Sequence, residues 1–178
     1  MSIARGRRLQ QSVGVRVPLE LCRIDDRLIH GQVVLGWGQQ MQVGFIVLVD
    51  DEVAESEWER ELYRMGVPPE VDVVFETVKG AAARLAEFEQ DPRPGILLTG
   101  DVESMVRLVG MCTALREVNL GGIHHKNGRV QRLRYVFLSP EEESALRALE
   151  AQGVSVTARD VPGARPIPLT DVLSGKGE

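Results

Sequence analysis

The stretch Leu19-Glu20-Leu21-Cys22-Arg23-Ile24-Asp25-Asp26-Arg27-Leu28-Ile29-His30-Gly31-Gln32-Val33 passes from an apolar run of strand length, through a polar loop, into a segment of helical period. A strand whose carboxyl end turns into a helix N-terminus is the opening unit of an α/β sheet, and ligands gather beyond such strand ends. The loop places His30 directly before Gly31 and a short step after Arg27. A neutral imidazole can attack phosphorus near neutral pH, a guanidinium can fork onto the transferred oxygens, and a glycine lets backbone amides come close. Together these residues point to phosphoryl transfer, with His30 as nucleophile, Arg27 stabilising charge, and the Gly31 and Gln32 amides holding oxygens. The bland alternative is an ordinary helix-cap histidine beside an Arg27–Asp26 surface pair. Asp25 and Asp26 have two roles open to them, and the residues alone do not separate these. One can hold the imidazole tautomer while the other caps the turn or pairs with Arg23 or Arg27, and shaping the loop is favoured over donating protons.

Outward from this unit, short runs rich in Val, Ile and Leu alternate with segments of helical period, which predicts an α/β domain with a mostly parallel sheet flanked by helices on both faces. Seven strands are expected: Leu19 to Arg23, Phe45 to Val49, Val71 to Phe75, Gly95 to Leu98, Glu117 to Leu120, Tyr135 to Leu138, and Val154 to Ala158. Helices are expected at Gly31 to Met41, Ser56 to Met65, Val78 to Glu89, Val102 to Met111 and Pro140 to Ala151, with a short one near Leu169 to Leu173. Ser139, Pro140 and Glu142 form a capping signal, Asp101 caps the helix after Gly100, and Gly153 closes the last long one. Residues 1–16 read as an extension carrying Arg5, Arg7, Arg8 and Arg16, and 17–178 as a single domain.

At 178 residues, 43% hydrophobic and 26% charged, the chain has the composition of one globular domain. Its net charge of -5 is spread along the sequence, which disfavours nucleic acid as a partner. No apolar run approaches the roughly 18 residues of a membrane span. Cys22 and Cys112 lack CxxC spacing and read as buried thiols of a reducing compartment. Histidines and cysteines are too scattered for a metal centre, since His124 and His125 are adjacent and point opposite ways on a strand. His125 reads as a surface residue. No dinucleotide or Walker fingerprint is present, so no cofactor is expected.

The run from Arg23 to Val33 resembles the signature of the mannose/fructose/sorbose-type IIB component of the phosphoenolpyruvate-dependent sugar phosphotransferase system. Val49-Asp50-Asp51-Glu52-Val53-Ala54 resembles that family's acidic turn, and Asn119-Leu120-Gly121-Gly122-Ile123-His124 resembles its Asn-x-Gly-Gly-x-His loop. The similarity runs from about Val17 to Leu173. It implies a cytoplasmic phosphotransferase whose histidine, here His30, accepts a phosphoryl group on Nδ1 from the IIA component. That group then passes to a sugar bound by the membrane subunits IIC and IID. Arg27 would steady both transfers, and His124 would lie where it can contact the phosphoryl group or a partner. Two features depart from the pattern: Gly36 and Gly38 fall in the helix after His30, each costing about 1 kcal/mol against alanine, and the N-terminal extension is unusual.

Three further groups have weaker readings. Gly121-Gly122 reads first as a tight turn needing φ above zero and second as amides near an anion. Asp50, Asp51 and Glu52 read as a turn that could orient Arg27. Trp37 and Trp58 read as packing residues. Beside the carrier reading stand two others: a regulatory module of the same fold that senses phosphorylation without serving a transporter, and a small hydrolase using His30 as nucleophile.

Overall fold

The runs of Val, Ile and Leu become central strands because a parallel sheet covered on both faces leaves its strands no wet side. The computed structural model describes residues 19–176, so the expected extension over 1–16 lies outside the described residues. In chain order the elements begin with β1 (Leu19–Ile24), a π-helical segment (Gln32–Gly38), β2 (Phe45–Val49), α1 (Asp51–Glu55), α2 (Glu57–Met65), β3 (Asp72–Glu76) and α3 (Val78–Gln90). They continue with β4 (Gly95–Thr99), α4 (Val102–Met111), β5 (Glu117–Leu120), β6 (Val130–Leu133), β7 (Val136–Leu138), α5 (Pro140–Ala151), β8 (Ser155–Ala158), β9 (Ile167–Pro168) and α6 (Leu169–Ser174).

A seven-stranded sheet runs in the order β3-β2-β4-β1-β5-β8-β9, parallel throughout except for the antiparallel β8–β9 edge. The single α/β domain with helices on both faces is as expected. Alternation along β2 shows how the two faces divide. Phe45, Val47 and Val49 join one core with Val78, Leu85, Met105 and Leu108 of α3 and α4, while Ile46 and Leu48 join the other with Val33, Val34 and Trp37. β2 and β4 are buried at every residue. The chain order also puts β1 between β4 and β5, so the carboxyl ends of β1 and β5 lie side by side, with Ile24 in register with Leu120.

Capping follows the sequence. Ser139 and Glu142 form a complete capping box, the Asp101 side chain accepts from the Ser104 amide, and Gly153 ends α5 at a φ of 87° that favours glycine. Several expectations need correction. Tyr135 to Leu138 contributes β7, but to a separate antiparallel pair with β6, because the tight turn at Arg134 and Tyr135 folds the chain back on itself. β6 was not expected, since Val130-Gln131-Arg132-Leu133 is mostly polar, nor was β9, whose Pro168 is tolerated because it sits on an edge strand. The strand expected at Val71 to Phe75 is displaced by one residue. The helix after His30 is π-helical rather than α-helical, and its two glycines, Gly36 and Gly38, weaken the α-helical preference.

Both cysteines are buried and free. Burial, aided by Glu117 and Glu89, pushes the Cys22 thiol up to about 12, which makes it a packing group rather than a nucleophile. The two tryptophans part company. Trp37 is 1% exposed, and the guanidinium carbons of Arg23 and Arg159 lie 5.3 and 4.7 Å from its ring centroid. Trp58 is 71% exposed on α2 beside exposed Leu62 and Met65, so it is not a core residue. Replacing Trp37 by alanine is expected to lower unfolding stability by about 3–5 kcal/mol. Trp58→Ala is expected to stay within about 0.5 kcal/mol of wild type in the same chemical denaturation series.

Candidate active site

β1 carries a charged residue into the interior, and the site is built on the consequences. Arg23 is fully buried at 0% exposure. A guanidinium has five N–H groups to satisfy, and each has a partner here. Nε and Nη2 donate to Asp25 Oδ2 at 3.3 and 2.9 Å, Nη1 donates to Asn119 Oδ1 at 2.6 Å and the Arg159 carbonyl at 2.8 Å, and Nη2 also reaches the Asp160 carbonyl at 3.3 Å. Trp37 ties the same segment down, its Nε1 donating to the Asp160 carbonyl at 3.2 Å.

Asp25, also fully buried, is shared between two arginines. Arg27 donates to it from its backbone amide at 3.3 Å, from Nε at 3.1 Å and from Nη2 at 3.2 Å, and the Gly122 amide adds a bond at 3.2 Å. Burial pushes the Asp25 carboxyl up, but the Arg27 hydrogen bonds and the Arg23 charge outweigh it and hold the group below the usual carboxylate range. Two guanidiniums facing one carboxylate leave the cluster with net positive charge.

The glycine pair after β5 serves this cluster in a way the turn reading did not foresee. Neither Gly121 nor Gly122 has positive φ. A Cβ on Gly121 would lie 2.3 Å from Arg23 Cζ, and one on Gly122 would lie 2.9 Å from Arg27 Nη2. Their amides are engaged within the protein, Gly121 N with the Ile24 carbonyl at 2.7 Å and Gly122 N with Asp25. The pair does approach an anion, and that anion is the protein's own aspartate.

His30 stands at the edge of the cluster, with its side chain 19% exposed. Its Nδ1 lies 2.7 Å from the Leu28 carbonyl, which as an acceptor requires the hydrogen on Nδ1 in this ring setting. Nε2 is buried without a hydrogen-bond partner, 3.8 Å from Asp25 Oδ2. Leu28 presents that carbonyl from a left-handed conformation, φ 55°, which costs a non-glycine residue about 1–2 kcal/mol. Gly31 opens the following helix without a side-chain cap, while Gln32 Oε1 accepts from Arg27 Nη2 at 2.7 Å. Asp26 turns away from the arginines and binds His124.

Other candidates fall outside the site. Asp50 caps α1, and Asp51 accepts from the Val78 amide and from Arg107, so this acidic turn organises helix starts rather than Arg27. His125 is exposed, edge-on to Phe137 at 5.8 Å. Among the described residues, no group of His, Cys, Asp and Glu has the makings of a metal centre. The sequence reading missed the depth of Arg23 and the part played by Asn119. The available signal was a polar residue near the carboxyl end of each of two apolar strands, Arg23 and Asn119, and the two prove to be register partners.

Residues 19–178 match the family of the PTS system sorbose subfamily IIB component. The chain belongs to that family. It is 31% identical over 157 residues to the sorbose-specific EIIB component of Lacticaseibacillus casei, covering 88% of this chain and 93% of the relative. To the N-acetylgalactosamine-specific IIB component 1 of Escherichia coli it is 32% identical over 147 residues, covering 80% and 90%. The crystal structure of the IIBSor domain of the Klebsiella pneumoniae sorbose permease superposes with a TM-score of 0.79 at 28% identity, covering 88% of this chain and 96% of that one. IIB components are phosphotransferases of sugar uptake, and this IIB chain is one of them. No helix among its described residues is long and apolar enough to cross a membrane.

Asp25→Asn is expected to cost this IIB protein about 3–5 kcal/mol in chemical denaturation, because it leaves the buried Arg23 charge uncompensated. Since the folded Asp25 pKa is depressed, its contribution is fully present above about pH 4, the unfolded value, and is lost as pH falls through the lower folded value. The gap between wild type and Asp25→Asn is therefore expected to narrow in acid, as a pH series of unfolding midpoints would show.

Proposed function

We propose that His30 is the phosphoryl acceptor of this IIB component, receiving the group from a IIA donor on the cytoplasmic side and passing it to a sugar held by IIC and IID membrane subunits. The observation that carries this reading is the net-positive Arg23–Asp25–Arg27 cluster beside a partly exposed imidazole whose Nε2 lies 3.8 Å from Asp25 Oδ2. A transferring phosphoryl group needs positioning and charge stabilisation more than covalent help. Arg27, whose side chain is 36% exposed, is placed to supply the charge. Asp25 holds the two arginines and shapes the loop, and Asp26 shapes its other side. The Gly31 and Gln32 amides, at a helix start without a side-chain cap, hold phosphoryl oxygens. Gly121 and Gly122 serve by admitting the guanidiniums.

Acceptance on Nδ1 requires the ring to turn away from the Leu28 carbonyl, which gives up one hydrogen bond with a net worth of about 1 kcal/mol. That is small against the attraction between a dianion and the cluster. The sugar is selected by the membrane subunits, in keeping with relatives of this chain named for sorbose and for N-acetylgalactosamine.

Incubation with phosphoenolpyruvate, the general phosphotransferase proteins and a sorbose-type IIA is expected to place an acid-labile, alkali-stable label on His30, located by mass spectrometry. His30→Ala should abolish the label, and Arg27→Ala should slow its appearance by about a hundredfold. A label that survives in His30→Ala would overturn the reading.

A further inference from the structure

Helix α2 carries an apolar ridge that no described residue covers. Trp58, Leu62 and Met65 are 71%, 50% and 83% exposed, and at steps of four and three residues they fall on one narrow stripe. None of the residues of α2 is buried. Half-buried Arg60 and Tyr63 mark its inward side, where Arg60 Nη1 donates to the Ala54 carbonyl at 3.1 Å and Tyr63 packs on the core that holds Ile46 and Leu48. At about 100° per residue, the ridge lies on the opposite side of the helix from these two. Short helices hold in water mainly by packing an amphipathic face, and here the most apolar stripe is the one turned to solvent.

Charge and place say what fits this ridge. Glu57 and Glu61 run along one flank and Glu59 along the other, and across residues 50–65 acids outnumber the two bases, Arg60 and Arg64. Glu61 pairs with Arg64, whereas Glu57 and Glu59 have no ion-pair partner among the described residues. A contact between two copies through the ridge would set acid against acid, and an anionic lipid surface would repel the same flanks. The fitting partner is an apolar groove rimmed by Lys and Arg, and the cytoplasmic loops of membrane proteins carry an excess of both. The turn that leads into α1 and α2 stands at the carboxyl end of β2, the end of the parallel sheet that bears His30. It adjoins the His30 loop, since a Cβ on Gly100 would lie 2.9 Å from Leu28 Cδ2 and 3.9 Å from Asp50 Oδ2. A subunit that takes the phosphoryl group from His30 therefore approaches the end of the sheet where this acidic segment begins.

We propose that the Trp58–Leu62–Met65 ridge is a docking surface for the basic cytoplasmic face of the IIC and IID membrane subunits, separate from the phosphoryl site. Trp and Met are enriched at interfaces, and a Trp buried on association commonly dominates the binding energy. Glu57 and Glu59 form the rim that meets Lys and Arg. This deepens the carrier reading and rests on it.

The test is sugar phosphorylation by vesicles carrying sorbose-type IIC and IID subunits, measured as the concentration of the full chain is varied, alongside His30 labelling from phosphorylated IIA. Trp58→Ala is expected to raise the half-saturating concentration with these vesicles about thirtyfold. The rate at saturation, half-saturation by IIA and the denaturation midpoint stay at their wild-type values. Leu62→Ala raises the half-saturating concentration less, and Glu57→Lys raises it and flattens its dependence on salt. A half-saturating concentration unmoved in Trp58→Ala overturns the inference. So does an equal loss in labelling by IIA, retention of the chain by anionic phospholipid vesicles that lack IIC and IID, or a wild-type dimer in sedimentation that Trp58→Ala dissolves. A wild-type label located away from His30 instead overturns the carrier reading.

Discussion

A carboxylate shared by two guanidiniums is stable in the interior only if every remaining polar group around it is also satisfied, and the local architecture follows from that demand. Asp25 draws donors from Arg23, Arg27 and the Gly122 amide. Arg23 then needs acceptors for the N–H groups that Asp25 cannot take, and it finds them on β5, in Asn119, and in the two carbonyls after β8. An unpaired buried charge would cost several kcal/mol, so these strands must stay adjacent and in register. The glycines at 121 and 122 are the steric counterpart, since side chains there would occupy the guanidinium sites.

The topology makes this arrangement possible. With β1 between β4 and β5, the loops from both carboxyl ends meet at one place, where strand connections diverge and open α/β sheets bind ligands. The Asp25 amide bonds the Thr99 carbonyl on one side and the Asp26 amide bonds the Gly122 carbonyl on the other, so the loop is stitched to both neighbouring strands. Such stitching supports the left-handed Leu28, whose amide reaches back to the Asp25 carbonyl. Local strain at Leu28 is thus borne by a rigid frame, and its carbonyl sets the His30 ring.

Much of this was legible in the chain itself. The apolar runs of β2 and β4 have the composition of strands buried on both faces, and the Ser139–Glu142 signal marks a helix start by hydrogen bonds that are local in sequence. The His30 loop stood out as a candidate for the same reason, because Arg27, His30 and Gly31 lie a few positions apart. What escaped depends on distant pairing. Arg23 meets Asn119 only through the β1–β5 register, Asp51 of the acidic turn finds its partners on α4 and at the start of α3, and Asp26 finds His124 across the sheet ends. Trp58 misled because helical spacing does not say which face is covered, and α2 turns it outward. Gly121 and Gly122 misled because glycine is usually read as conformational freedom, whereas here it supplies empty space.

A carrier must take a phosphoryl group and also give it up, and the two arginines are suited to different parts of that task. Arg23 has spent all five of its N–H groups inside the protein, so it can lend charge but cannot follow the phosphoryl group outward. Arg27 is partly exposed, and its Nη2 is shared between Asp25 and the Gln32 side chain. Moving that group onto a phosphoryl oxygen leaves Asp25 still paired with Arg23, so the carboxylate is never stranded. On the proposed transfer, the buried arginine would let the exposed one come and go. Without it, each departure of Arg27 would uncover a buried anion, and the barrier to both transfers would rise by the cost of that exposure.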